Sequence, residues 1–114
     1  RLMSRAQEVQ ERLKRQDTVT EYPMELHVIR LGDIALATNP FELFLDFGVR
    51  MKARSRAEQT FLMQLACDSA GYLPTAKAAA AGGYGAEIPS NKVGPEGGQL
   101  LVDRTVAIID TLFQ

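Results

Sequence analysis

An apolar strand, a helix and a second apolar strand follow one another in the middle of the chain, and this order limits the fold more than any other feature. Residues 34–38 are mostly apolar, and residues 60–66 resemble a strand buried in the middle of a sheet. Between them, residues 39–54 are apolar nearly all round their first turns, which is typical of a helix buried on several sides. A strand–helix–strand order favours a right-handed parallel crossover. We therefore expect the two strands to be parallel.

The residues before this unit add a hairpin and a further helix. Apolar and polar residues alternate over residues 24–28, which predicts a strand with one solvent-exposed face. The turn at 31–34 joins this strand to the next one. Apolar residues at helical spacing over 1–16 predict an amphipathic helix lying on the sheet. Gly48 costs its helix about 1 kcal/mol relative to alanine. We expect a close approach of helix and strand at that glycine.

The last third begins with a loop and ends with a long helix. Thr75 is expected to cap a short helix, 76–81, and a final helix is expected to begin between 96 and 98. The sequence thus predicts an α/β fold: a small mixed sheet of three or four strands with a β-hairpin, a parallel β-α-β crossover and helices packed on the sheet. We expect residues 1–114 to form a single domain, a C-terminal piece of a longer chain that begins within helical sequence.

Composition excludes several classes of function. The chain has 114 residues, of which 13 are basic and 14 acidic, so its net charge is −1. That balance gives no electrostatic reason to expect a nucleic-acid partner. Apolar runs are too short for a transmembrane segment. A single cysteine excludes an internal disulfide, and with a single histidine it cannot complete a usual zinc site. We expect Cys67 to be a buried structural thiol and His27 an ordinary surface residue.

Glu42 admits two explanations. As part of Asn39-Pro40-Phe41-Glu42, it fits a capping box, with Asn39 as the N-cap and Pro40 at the first helical position. Alternatively, it is a metal ligand. Ligands of open parallel sheets lie outside the carboxyl ends of the strands. That edge is expected to gather Glu42, which follows the strand at residues 34–38, and the loop that follows the strand at residues 60–66, together with the amides of a helix N-terminus. The loop residues concerned are Asp68, Ser69 and Tyr72.

Four short motifs follow one another in the middle and last third of the chain. They are Thr38-Asn39-Pro40-Phe41-Glu42, Ala66-Cys67-Asp68-Ser69-Ala70-Gly71-Tyr72-Leu73-Pro74-Thr75, Gly83-Tyr84 and Gly94-Pro95. Tyr84 lies 12 positions after Tyr72. In their order and in this step, the motifs resemble the C-terminal part of the catalytic region of the neutral ceramidase family, and most closely the family's uncharacterised bacterial relatives. The resemblance covers about residues 24–113.

The resemblance implies a zinc-dependent amidase that cleaves an N-acyl bond. It assigns Glu42 and Tyr72 as metal ligands and Tyr84 as a catalytic tyrosine near the substrate. The family's histidine ligands lie far upstream and have no counterpart here. Two positions depart from the family pattern: Phe41 stands where the family has glycine, and Gly85 stands where it has glutamate.

These implications set the expected partners and cofactors. Zinc is expected in the full-length parent and no cofactor in this chain alone, because Glu42 and Tyr72 are only two ligands. The expected partners are the remainder of the parent chain and a lipid or other amide substrate. A non-catalytic α/β interaction module is the alternative. In that case Glu42 is only a cap, Tyr72 a packing residue and Tyr84 a loop anchor.

Overall fold

The computed structural model describes residues 1–114. The chain forms four α-helices, five short strands and two single-turn 3-10 helices. The helices are α1 (Leu2–Arg15), α2 (Leu45–Arg54), α3 (Ala76–Ala81) and α4 (Pro95–Leu112). The strands are β1 (Val28–Leu31), β2 (Ile34–Thr38), β3 (Glu42–Leu43), β4 (Gln59–Met63) and β5 (Tyr72–Leu73), and the 3-10 helices are Tyr84–Ala86 and Ile88–Ser90.

The main sheet has three strands in the order β1-β2-β4. Strands β1 and β2 are antiparallel and form a hairpin, whose tight turn uses the left-handed φ of +59° at Gly32. Strands β2 and β4 are parallel, with Ile34 opposite Gln59 and Thr38 opposite Met63. Helix α2 connects them. The predicted α/β fold, with its hairpin, parallel crossover and packed helices, is confirmed.

Strand β4 differs from the prediction in length and position. It ends at Met63 instead of residue 66, and it lies at the edge of the sheet, not in its middle. Three of its five side chains are exposed. The apolar run that suggested a central strand therefore has another cause: the sheet exposes apolar residues on one face. The central strand is β2 instead.

Helices α2 and α4 cover only one face of the sheet. Their contact forms the hydrophobic core with the loops that follow β2 and β4. An added Cβ at Gly48 would lie 3.1 Å from Leu62 Cδ1, which is the close helix–strand approach expected there. An added Cβ at Gly98 would lie 2.3 Å from Phe47 Cζ, so α2 and α4 also approach closely. The core residues are Phe41, Phe47, Met51, Ala70, Leu73, Leu101, Val102 and Val106.

No helix covers the opposite face of the sheet. Alternation along the strands places apolar side chains on this face in register: Ile29 pairs with Leu36, and Leu36 pairs with Phe61. We call this surface the open face. Its exposed members are Ile29, Leu31, Ile34, Phe61 and Met63.

The capping-box interpretation of Glu42 is wrong. Helix α2 begins at Leu45 with Phe44 as its N-cap, so residues 39–44 are not helical. Asn39 is buried, and its Oδ1 accepts the Phe41 amide at 3.0 Å, two residues on. The Asn-Pro pair thus makes an Asx-turn, which uses the same side-chain oxygen that an N-cap would use. The amides of the helix N-terminus consequently start further along the chain than expected.

Helix α1 forms, but it does not lie on the sheet. None of its residues is buried, and it contacts the 3-10 helix Ile88–Ser90. Polar bonds hold it there: the guanidinium of Arg12 donates to the carbonyls of Ile88 and Asn91. No helix in the chain has the length and apolar character needed to cross a membrane.

The short helix α3 and the long helix α4 agree with the sequence. Thr75 is the N-cap of α3, and its Oγ1 accepts the Ala78 amide at 3.2 Å. Helix α4 begins at Pro95, one residue before the expected range, with Pro at a first-turn position that suits it.

Candidate functional site

Glu42 and Tyr72 lie side by side because two short strands pair beyond the ends of the main sheet. Strands β3 and β5 are parallel, and Glu42 is the register partner of Tyr72. The Glu42 amide donates to the Gly71 carbonyl at 2.9 Å, and the Phe44 amide donates to the Leu73 carbonyl at 3.2 Å. Register partners in a sheet project to the same face. The backbone therefore directs this carboxylate and this phenol into one space.

Tyr84 joins this pair through aromatic contacts. Its ring centroid is 5.8 Å from that of Tyr72, and the rings are nearly perpendicular at 79°. Phe44 packs against Tyr72 in the same edge-on manner, with centroids 6.4 Å apart. Edge-to-face packing is a favoured aromatic geometry. All three residues assigned by the resemblance, Glu42, Tyr72 and Tyr84, thus meet at one place on the surface.

Two residues that sequence reasoning missed support this site. Arg5 of α1 donates to the Tyr84 hydroxyl at 3.1 Å, and its guanidinium lies 5.2 Å from the ring centroid. Asn91 donates through Nδ2 to the carbonyls of Tyr72, at 3.1 Å, and of Gly85, at 2.9 Å. No local motif marks either residue, because their partners lie far away along the chain.

The electrostatics of the pair follow from the neighbouring carboxylate. The negative charge of Glu42 raises the pKa of Tyr72, and partial desolvation of the phenol adds to the effect. Tyr72 is thus a neutral phenol around pH 7. No lysine or arginine forms an ion pair with Glu42. A carboxylate without a cationic partner beside a phenol is a donor set that suits a divalent cation. These two residues fit zinc as part of a ligand set, and they cannot complete one.

The two departures from the ceramidase pattern have structural explanations. Phe41 is 2% exposed and belongs to the core, whereas Glu42 is partly exposed. Successive side chains of an extended segment point to opposite sides, so Phe41 points away from the site. At Gly85, an added Cβ would lie 3.1 Å from the Phe44 ring and 3.2 Å from Tyr72 Cδ1. The glycine therefore makes room for the aromatic group.

Asp68 and Ser69 were expected at the same edge, and the Asp68 carboxylate is engaged elsewhere. Asp68 Oδ1 accepts the Ser69 amide at 2.7 Å, and Oδ2 accepts the Tyr22 hydroxyl at 3.2 Å. Desolvation raises the pKa of Tyr22, and the hydrogen bond to Asp68 raises it further by a smaller amount. Asp68 therefore anchors the segment before β1 to the loop before β5.

Cys67 is exposed, which contradicts the expectation of a buried thiol. Its neighbours are Glu25 and His27, and the ligand atoms of the three residues lie within 4.8 Å of one another. His27 Nε2 is 3.0 Å from Glu25 Oε2, a contact that lowers the pKa of Glu25. Partial desolvation, and then the Glu25 carboxylate, raise the pKa of Cys67. The thiol is therefore not an activated nucleophile.

No family model, no curated protein and no solved structure matches the chain. The resemblance to neutral ceramidases therefore stays a prediction.

Proposed function

We propose that this chain is the C-terminal part of a zinc-dependent amidohydrolase similar to neutral ceramidases, inactive by itself. The observation that carries the proposal is the pairing of β3 with β5. That pairing sets Glu42 directly opposite Tyr72, with the Tyr84 ring 5.8 Å from Tyr72. A helix cap and two packing tyrosines would not need to meet in this way.

Each residue has a role that its surroundings support. Glu42 would supply a carboxylate oxygen and Tyr72 a phenolic oxygen to the metal. Tyr84 is more exposed, at 56%, and lies at the rim, where its hydroxyl can contact an amide substrate. Arg5 holds that hydroxyl at 3.1 Å and so orients the ring. When bound, zinc would supply Lewis-acid activation of water and of the amide carbonyl.

The remaining ligands would come from the remainder of the parent chain. The open face supports such a partner, because a contiguous apolar surface marks an interaction site. Ile29, Leu36 and Phe61 form one row across this face, with Ile29 49% exposed and Phe61 45% exposed. A lipid or another amide would be the substrate of the completed site.

A non-catalytic interaction module is the second candidate, and the open face favours it equally. Such a module would bind a partner through the apolar sheet. Glu42 would then have only a structural role, as a residue of β3. The two candidates differ in the upstream sequence of the parent. A histidine-bearing metal motif there supports the enzyme, and its absence supports the module.

The decisive experiment compares two glutamates in the full-length parent. Glu42→Gln should abolish hydrolysis of an N-acyl sphingosine while the protein remains folded, because it replaces a charged ligand with a neutral amide. Glu58→Gln is the matched control. Glu58 is exposed and precedes β4, so it lies at the opposite end of the parallel strands from Glu42, which follows β2. The control variant should retain activity. Normal turnover by the Glu42 variant would rule out the ligand assignment.

The site can also be tested in this chain alone through the ionisation of Tyr72. The chain has three tyrosines, so Tyr22→Phe with Tyr84→Phe leaves Tyr72 as the sole phenol. In that background we expect a pKa above the usual value of about 10. Adding Glu42→Gln should bring it down towards that value, because the main cause of the shift is removed. An unchanged ultraviolet titration would show that the two side chains do not face each other.

A further inference from the structure

Three potential metal ligands of different chemistry meet on the surface, apart from the residues of the proposed amidase site. Glu25 and His27 lie two residues apart on the extended segment that leads into β1. Side chains along this segment alternate in exposure: Tyr22, Met24 and Leu26 are half-buried and pack on the core, so the residues between them face outward. This alternation places the carboxylate and the imidazole on the same side.

Cys67 approaches them from a loop with an unusual backbone. Leu65 and Cys67 are the only non-glycine residues with positive φ, at 54° and 67°. Such a conformation is costly for a residue with a Cβ and persists only where surrounding contacts impose it. Here the Leu65 amide donates to the Phe41 carbonyl at 3.2 Å, and the Ala66 amide donates to the Asn39 carbonyl at 3.0 Å. The loop therefore holds the thiol beside the segment before β1.

We propose that Glu25, His27 and Cys67 form a binding site for a divalent transition metal of the zinc type. A ring nitrogen of His27, the Sγ of Cys67 and a carboxylate oxygen of Glu25 already lie within 4.8 Å of one another. Zinc takes sulfur at about 2.3 Å and nitrogen or oxygen at about 2.0–2.2 Å, so tetrahedral ligands stand about 3.3–3.9 Å apart. Side-chain movements of about 1 Å would complete the geometry.

The donor set selects the class of metal. Thiolate and imidazole prefer zinc-like ions, whereas magnesium and calcium require oxygen ligands. On binding, the thiol gives its proton to solvent and His27 binds as the neutral imidazole. The bond between His27 and Glu25 is then replaced by two bonds to the metal. All three side chains are exposed, so a fourth position stays open to water.

This site is independent of the proposed amidase site and shares no residue with it. It also differs from two expectations: that this chain alone holds no cofactor, and that one cysteine and one histidine cannot complete a usual zinc site. Here Glu25 supplies the third ligand, and the fourth position is left to water. The sequence places Cys67 far from the sole histidine, and only the fold brings them together.

The test is a titration of the purified, reduced chain with cobalt(II), which reports thiolate ligation through an intense charge-transfer absorption. We expect a saturable band with one metal per monomer, which zinc displaces. His27→Gln should weaken cobalt affinity at least about tenfold, in line with the loss of groups that support metal sites. Glu25→Gln should weaken it less, and Cys67→Ser should remove the band.

A matched control separates this proposal from the proposed function. Glu42→Gln with Tyr72→Phe should leave cobalt affinity unchanged, because neither residue belongs to the cluster. Absence of a band in the unmodified chain would overturn the proposal. So would a stoichiometry of one metal per two chains, or a band that His27→Gln leaves intact. None of these results bears on the amidase activity of the parent.

Discussion

The two faces of the three-stranded sheet contrast sharply although the same strands build both. On the covered face, where α4 contacts β1 and α2 contacts β4, Ala35 and Ala37 of the central strand are at most 1% exposed. On the open face, Ile34 of β2 is 36% exposed, and Phe61 of the adjacent strand β4 is 45% exposed. Small residues allow the helices to pack closely on one face. Large apolar residues remain exposed to solvent on the other face.

This difference separates stability from interaction. Buried apolar area stabilises the fold, at about 25 cal/mol per Å², and most of it lies on the covered face. The open face contributes apolar surface that folding of this chain leaves in contact with water. A substitution on the covered face should therefore change the free energy of unfolding, and one on the open face should change association with a partner. Three predictions test this contrast.

The largest effect is expected at Phe47, which is 1% exposed between α2 and α4. Phe47→Ala should lower the free energy of unfolding by about 3–5 kcal/mol, because it removes buried apolar surface and leaves a cavity. Urea denaturation followed by circular dichroism measures this change. A loss below about 1 kcal/mol would mean that the covered face is not tightly packed.

A smaller effect is expected at Gly98, where α4 meets the same ring. Gly98→Ala would place a methyl group 2.3 Å from Phe47 Cζ. Overpacking costs about 1–3 kcal/mol, and the gain in helix propensity offsets about 1 kcal/mol of this. We expect a net loss of about 1 kcal/mol in urea denaturation. In a Phe47→Leu background the alanine should cost less, and an equal cost would show that the ring is not the cause.

The smallest effect on stability is expected at Phe61 on the open face. Phe61→Ala should change the free energy of unfolding by only about 0.5 kcal/mol, the size of a cross-strand contact. If the proposed parent chain exists, the same substitution should reduce binding of this chain to the remainder of that parent, measured by calorimetry. A loss as large as that of Phe47→Ala would show that the open face is packed in this chain, and the contrast would fail.

Local patterns predicted much of the fold. Short-range periodicity identified α1, β2 and α4, and the strand–helix–strand order predicted the parallel pairing of β2 with β4. The Thr75 cap and the close approach at Gly48 were also predicted correctly. Each of these depends on residues near one another in sequence or on a general rule of chain connection.

The candidate site was predicted in part. The meeting of Glu42, Tyr72 and Tyr84 was expected, while its supporting residues, Arg5 and Asn91, were not. The reason is that both residues bond across long sequence separations: Arg5 bonds to Tyr84, and Asn91 bonds to Tyr72. Exposure of Cys67 was also missed, because an apolar run before it suggested a longer buried strand than β4.

Asn39 shows most clearly where local information ends. Its side chain can cap a helix or close an Asx-turn, and both use the same oxygen and a nearby amide. The sequence by itself determined that the chain must turn after β2 and that a helix must follow. Only the tertiary structure decided that Asn39 closes a turn and that Glu42 joins a strand, since the Glu42 amide bonds to the Gly71 carbonyl from a distant loop. Periodicity is a property of one segment, whereas a hydrogen bond between segments depends on how the whole chain packs.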